Sequence, residues 1–234
     1  MVSTATPRRS DMTAIVTAGG TPMDNQQTTG EPAMVKIVMG DYVSSPRLGA
    51  LATTPYGALG HFELSEFLAT WEVLHGQALN GLPERIHPTA QIHPTAIIGD
   101  DVIVGPNVRV HEFSTVRKGS VLCAGSSVGF GCEVTRTLIG EGSILGHQVG
   151  IGRSIVGANV HVSASVVVAA ISLWNFDMRV PRKEIVMRAP DGERYECLVS
   201  QFGALLGDGV QTGSQITLGP GVAVGRQRSS LVAW

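Results

Sequence analysis

From Ile86 to Val134 every sixth residue is aliphatic: Ile86, Ile92, Ile98, Val104, Val110, Val116, Leu122, Val128 and Val134. Four residues past each of the first eight stands a small or β-branched one: Ala90, Ala96, Val102, Val108, Ser114, Ser120, Ser126 and Cys132. An α-helix repeats at about 3.6 residues and an ordinary strand at about 2, so neither generates a beat of six. A chain that turns one aliphatic side chain inward in every six residues winds as a three-sided prism, one segment to each side. That requirement leaves little else open about the fold class.

The beat continues beyond Val134 with two steps of five, to Ile139, Leu145 and Ile151 and then to Val156, Val162 and Val168. Residues 169–203 break it, and Leu206, Thr212, Leu218 and Val224 restore it. About nineteen inward positions at three to a coil make about six coils. Within the interruption, Ala189-Pro190-Asp191-Gly192 is a turn signal between the β-prone runs 183–188 and 194–199. The expectation is a hairpin thrown out from the prism, of the kind that covers a site on one side.

Composition agrees with a narrow core. Aromatic residues make up only 5% of the chain while Gly numbers 29, as expected where no ring fits on the axis. Glycine shows no three-residue period, which excludes collagen. A net charge of −2 offers no electrostatic attraction to nucleic acid or to an anionic membrane. No apolar run reaches the ~18 residues needed to cross a bilayer, and the residues after Arg8-Arg9 (Ser10, Asp11, Thr13, Thr17) supply no continuous apolar run as a twin-arginine leader would. Cys123, Cys132 and Cys197 form no C-x-x-C pair, and Cys132 occupies a small inward slot, as a reduced core thiol would. These features predict a cytoplasmic protein.

Ahead of the prism, residues 1–32 are rich in Thr, Pro, Gly and Gln and predict a loosely ordered arm. Met34–Val43 predicts a strand. Phe62, Leu64, Phe67, Leu68, Trp71, Leu74 and Leu79 approach helical spacing, with Ser65 or His61 near the start and Gly81 and Pro83 at the stop. A helix there suits a cap over the first coil. The organisation expected is an N-terminal extension (1–60), a capping helix and linker (61–82), the prism (83–226) with its excursion (169–203), and a tail (227–234).

The histidines differ by their place in the repeat. His87 and His93 lie in twin I-H-P-T-A turns, and His93 and His111 lie 18 residues apart, on adjacent coils. No third histidine joins them at a spacing suited to zinc, so no metal is expected. His147 differs. It ends Gly140-Glu141-Gly142-Ser143-Ile144-Leu145-Gly146-His147, two residues past an inward Leu, on the outside of a corner.

Residues 127–147, together with 202–213 and 218–225, resemble the hexapeptide-repeat acyltransferases. The similarity is to the acetyltransferase domain of the bifunctional N-acetylglucosamine-1-phosphate uridylyltransferases and the C-terminal domain of archaeal sugar-1-phosphate nucleotidyltransferases. The resemblance implies an all-β left-handed parallel β-helix. It implies a homotrimer with acetyl-CoA or another acyl-CoA in the groove between subunits, and a small amine, amino sugar or sugar nucleotide as acceptor. His147 matches the family's general base, a suitable proton acceptor near neutral pH. Arg117 matches an arginine that grips the sugar phosphate, and Arg136 stands beside a phosphate-binding position. Within the excursion, Trp174, Phe176, Arg179, Arg182, Lys183 and Arg188 combine ring faces with positive charge. Trp174, Arg182 and Lys183, with Ala204 of the resumed repeat, are the expected contacts of CoA.

Four positions depart from the pattern. The family's tyrosine falls on Gly150, its asparagine on Ala170, and two lysines on Thr135 and Gln201. Too few residues precede the prism for a nucleotidyltransferase half, so nucleotide transfer is not expected. Three readings stay open: acyl transfer, a diverged trimer that binds a partner, or a different reaction on an unphosphorylated substrate.

Overall fold

The computed structural model describes residues 36–172, 184–188 and 192–227. The expectations for residues 1–32 and the proposed CoA contacts Trp174, Arg182 and Lys183 lie outside the described residues. Short parallel strands stack into three faces, and the chain is a left-handed parallel β-helix. The first face stacks Gln91–Ile92, Arg109–Val110, Ser127–Val128, Ile144–Leu145 and His161–Val162. The second begins at Ile97–Ile98 and ends at Thr217–Leu218; the third runs from Ile103–Val104 to Val222–Val224 and continues into a hairpin. The inward residues are those of the six-residue beat: Ile92, Val110, Val128, Leu145 and Val162 lie in register up the first face. Each fully buried aliphatic side chain contributes ~1.5–3 kcal/mol relative to exposure.

The small slots staple coil to coil. Ser114 Oγ donates to the Gly129 carbonyl at 2.6 Å and accepts from Cys132 N–H at 3.1 Å. Cys132 repeats the first bond one coil on, its Sγ lying 2.9 Å from the Gly146 oxygen. On the edge joining the third face to the first, the corners are turned by left-handed residues, Asn107, Gly125, Gly142 and Asn159 on successive coils. Beside that slot, coils touch backbone to backbone: a Cβ on Gly140 would sit 2.2 Å from the Gly157 oxygen.

Both five-residue steps, and the excursion, leave from one edge, that between the second and third faces. Register there changes from Arg117↔Thr135 to Thr135↔Gly152, a loss of one residue per coil. The helix α1 (Leu64–Gly81) lies along this edge, with His75 Nε2 2.7 Å from the Asp101 carbonyl oxygen. Glu63 caps that helix, its carboxylate accepting from Ser65 N–H and Glu66 N–H. The helix does not close the end of the first coil. It runs along the flank, because the third face alone carries a column of outward apolar side chains. Ile103, Val121, Leu138, Ile155 and Leu205 share a buried cluster with Leu64, Phe67, Trp71 and Ala78.

Two other elements differ from expectation. The strand expected at Met34–Val43 reduces to one bridge between Val38 and Glu63, followed by a 3-10 turn at Met39–Asp41. Gly40 packs there so tightly that a Cβ would lie 2.6 Å from the Gly60 oxygen. The hairpin, Val186–Arg188 paired with Arg194–Glu196, does form. It does not project; it extends the third face, since Ile185, Met187, Tyr195 and Cys197 turn into the same cluster. Tyr195 hydrogen-bonds Glu63, joining hairpin to helix cap. No helix among the described residues is long and apolar enough to cross a membrane.

Candidate active site

His147 sits on the edge between the first and second faces. The backbone ladder Gly131 N–H to Glu112 O, Gln148 N–H to Phe130 O and Ser165 N–H to His147 O stacks these corners at 2.9, 2.7 and 2.8 Å. Glu112, Phe130, His147 and Ala164 thus occupy one column on consecutive coils. The histidine is exposed and makes no side-chain hydrogen bond among the described residues. Phe130 meets Phe113 edge to face with ring centroids 5.7 Å apart. Phe113, Phe130, Ile97, Ile144, Val167 and Ile216 are all exposed large apolar residues on this edge or its two flanking faces. Strips of that kind mark surfaces that meet a partner.

The other two edges are dressed by the chain itself. On the edge from third face to first, Glu141 accepts the backbone N–H groups of Arg47 and Leu48 at 2.8 and 2.7 Å. Asp208, at the matching corner, accepts from Ser44 N–H, Ser44 Oγ and Ala158 N–H. The motif G-E-G-S-I-L-G-H therefore splits its polar residues between two edges: Glu141 anchors the extension and His147 faces outward. Sequence reasoning missed the anchor, although an acid between glycines recurs at 140–142 and 207–209.

Arg117 ends a strand of the second face, the face that His147 borders. Its guanidinium pairs with Glu133 on the next coil and lies 3.4 Å from Thr135 Oγ1. Thr135, standing where the family has a lysine, thus accepts from the arginine instead of adding charge. Gly150 lies on the same face with open space where a side chain would be, and Gly152 separates the Thr135 carbonyl from the Ala170 methyl. Arg117, Thr135 and Gly150 thus lie on the second face, which His147 borders on the Gly150 side, while Arg117 and Thr135 stand at the opposite end of that face. Arg136 goes elsewhere: its guanidinium turns over the edge to Glu72 of α1. Gln201 and Arg136 line a cleft of about 490 Å³ on that helix side. Ala204 is wholly enclosed in the prism, paired in register with Val222, and offers no side-chain surface to a ligand.

His87 and His93 stabilise their own turns. His87 Nδ1 and His93 Nδ1 accept from Thr89 N–H and Thr95 N–H at 3.2 and 3.3 Å. Glu112 lies 3.8 Å from His93 and 3.9 Å from His111. Among the described residues no group of three or more His, Cys, Asp or Glu side chains converges as a metal site. Burial raises all three thiols, Cys197 to about 12 with a smaller contribution from Glu63, so none supplies a thiolate nucleophile at neutral pH.

Residues 83–186 match the family model described as the GMPPB C-terminal domain. The bifunctional protein GlmU of Methanococcus aeolicus is 30% identical over 110 residues, 47% of this chain and 25% of that protein. The bifunctional sugar-1-phosphate nucleotidylyltransferase/acetyltransferase of Sulfurisphaera tokodaii is 29% identical over 112 residues, 48% and 26% of the two chains. The chain thus spans about a quarter of the length of these relatives. Among solved structures, GDP-perosamine N-acetyltransferase of Caulobacter crescentus, with CoA and GDP-perosamine bound, is 21% identical with a TM-score of 0.22, covering 44% of this chain and 61% of that one. The prism of this chain is similar over residues 83–186 to the GMPPB C-terminal domain and over about 110 residues to these bifunctional proteins.

Proposed function

We propose that the chain is an acyl-CoA-dependent acyltransferase, cytoplasmic and working as a homotrimer, with His147 as general base. The observation that carries this reading is the edge that the described residues leave bare. Of the three edges, two are covered by the extension, the helix and the hairpin. The third holds an imidazole with no side-chain hydrogen bond among the described residues, beside an exposed apolar strip, as a seam between copies requires. In the reaction, the acceptor nitrogen attacks the thioester carbonyl; a C–N bond forms and the C–S bond breaks. The imidazole takes the proton from nitrogen and returns it to the departing thiolate of CoA. The acetyltransferase half of the Sulfurisphaera tokodaii relative supports the reaction class.

The acceptor we propose is a small amine or amino sugar that lies across the second face and carries no phosphate at its Arg117 end. Glu133 already neutralises Arg117, and Thr135 and Gly150 bring neither charge nor a ring. The same substitutions favour a second reading, a diverged trimer that binds a partner without turnover. Incubation with acetyl-CoA and a panel of amines, read as free thiol released, separates the two. Release with an unphosphorylated amine supports transfer. Absence of release, with no shift in melting temperature on adding CoA, leaves the binding reading.

A further inference from the structure

The edge between second and third faces carries a basic ladder that acyl transfer at His147 does not use. Lys118, Arg136 and Arg153 occupy the same turn position on three consecutive coils, with φ of 54°, 44° and 50°. Their stacking is fixed by Arg136 N–H to Arg117 O at 3.1 Å and Arg153 N–H to Thr135 O at 2.8 Å. Successive coils lie ~4.8 Å apart, so three cations share roughly one nanometre of edge. Left-handed backbone costs a non-glycine residue ~1 kcal/mol, and the edge from third face to first fills its equivalent slot with Asn or Gly. The edge from first face to second holds Phe113, Gln148 and Ser165 in the same conformation, and here all three of these left-handed residues are long cations.

Helix α1 lies alongside and makes the ladder a groove. Arg136 and Trp71 stand at its middle and line both a cleft of about 490 Å³ toward Arg153 and Gln201 and one of about 320 Å³ toward Lys118. Either volume lies within the range of small-molecule sites. Glu72, on the solvent side of the helix, pairs with Arg136. Hydrogen bonding and charge from Arg136, with a lesser contribution from Arg153, hold its carboxyl below the usual range. Glu184 lines the far end of the larger cleft. One exposed carboxylate at the centre of a cationic ladder occupies the place of an anion and can swing away into water.

We propose that this groove is a second ligand site, on a different edge from His147, for a molecule bearing a diphosphate. Adjacent phosphoryl groups bridge neighbouring rungs of the ladder, displacing Glu72, and a nucleoside portion fills the larger cleft. The chemistry is shared by a free nucleoside diphosphate and by the ADP half of CoA. The proposal does not rest on acyl transfer.

The test is calorimetric titration of the full chain with inorganic pyrophosphate, ADP and CoA at fixed ionic strength. Wild type, Glu72→Gln, Arg136→Ala and Lys118→Ala are compared, each first shown to melt cooperatively. Glu72→Gln removes the competing charge and is expected to tighten pyrophosphate and ADP several-fold. Arg136→Ala and Lys118→Ala are each expected to weaken them roughly tenfold. CoA binding in parallel with ADP assigns the groove to the acyl donor's nucleotide; ADP binding without CoA assigns it to a free nucleotide. No binding of pyrophosphate or ADP to either wild type or Glu72→Gln overturns the proposal. So does affinity that neither Arg136→Ala nor Lys118→Ala alters. Because no arm measures thiol release, failure here is distinct from failure of the acyl-transfer reading.

Discussion

Arg117 and Glu133 stand one coil apart on the second face, and their side chains meet as an ion pair across the paired strands Thr115–Arg117 and Glu133–Thr135. Both are largely exposed, so the pair contributes little to folding, ~0–1 kcal/mol. Its importance is to the acceptor. Glu133→Gln should free the guanidinium and raise kcat/KM for phosphorylated amines relative to unphosphorylated ones, with an unchanged melting temperature. An unaltered preference between the two acceptor types would remove Arg117 from acceptor recognition.

His147→Ala should lower kcat by about a hundredfold or more, the usual loss when a general base is removed. KM for acetyl-CoA should change little, because the imidazole acts on the acceptor's proton. Steady-state thiol release measures both. An equal rate in the variant excludes His147 as the base.

Phe130→Asp places a charge in the middle of the exposed apolar strip while touching only Phe113 among aromatic rings. The wild-type mass by light scattering is expected to be three times that of one chain, and the variant's to fall to a single chain with retained circular dichroism. A trimer that survives the substitution rules this edge out as the seam.

Glu141→Ala leaves the N–H groups of Arg47 and Leu48 without their acceptor and should release the extension from its corner. The site is exposed, so the loss of stability should be near the low end of ~1–3 kcal/mol. Hydrogen exchange at those two amides is the sharper measurement: their protection should drop while that of Val128 and Leu145 in the prism stays high.

The thiols predict a pH dependence. Burial raises Cys123, Cys132 and Cys197, Cys197 to about 12, above the ~8.5 of an unfolded thiol. Between those values the native state holds protons that the unfolded chain has lost, so stability falls as pH rises. Urea midpoints should be flat in this respect below about pH 8 and decline above it, and Cys123→Ala should remove part of the decline. In the native state none of the three should react with a thiol reagent at pH 8.

The inward residues were legible because the period is a local property. Ile92, Val110, Val128, Leu145 and Val162 fall in register as the six-residue beat requires, and even the five-residue steps mark real shortenings of the turn. The helix at Leu64–Gly81 and the hairpin around residues 186–196 were readable on the same grounds, from spacing and a turn signal. His147 was placed on a corner by counting from Leu145. Arg117 and Arg136, nineteen residues apart in sequence, looked like one phosphate grip; the structure turns one to Glu133 and the other to Glu72.

Sequence alone therefore determined the three-sided winding, since a side chain's facing in a regular repeat depends only on its place in that repeat. Tertiary structure decided which flank is covered and which edge the described residues leave bare. That choice depends on outward residues distant in sequence, such as Ile103, Leu138 and Leu205, collecting against Phe67 and Trp71. No periodicity encodes it, because the energy comes from burying two surfaces that meet only after the chain has folded.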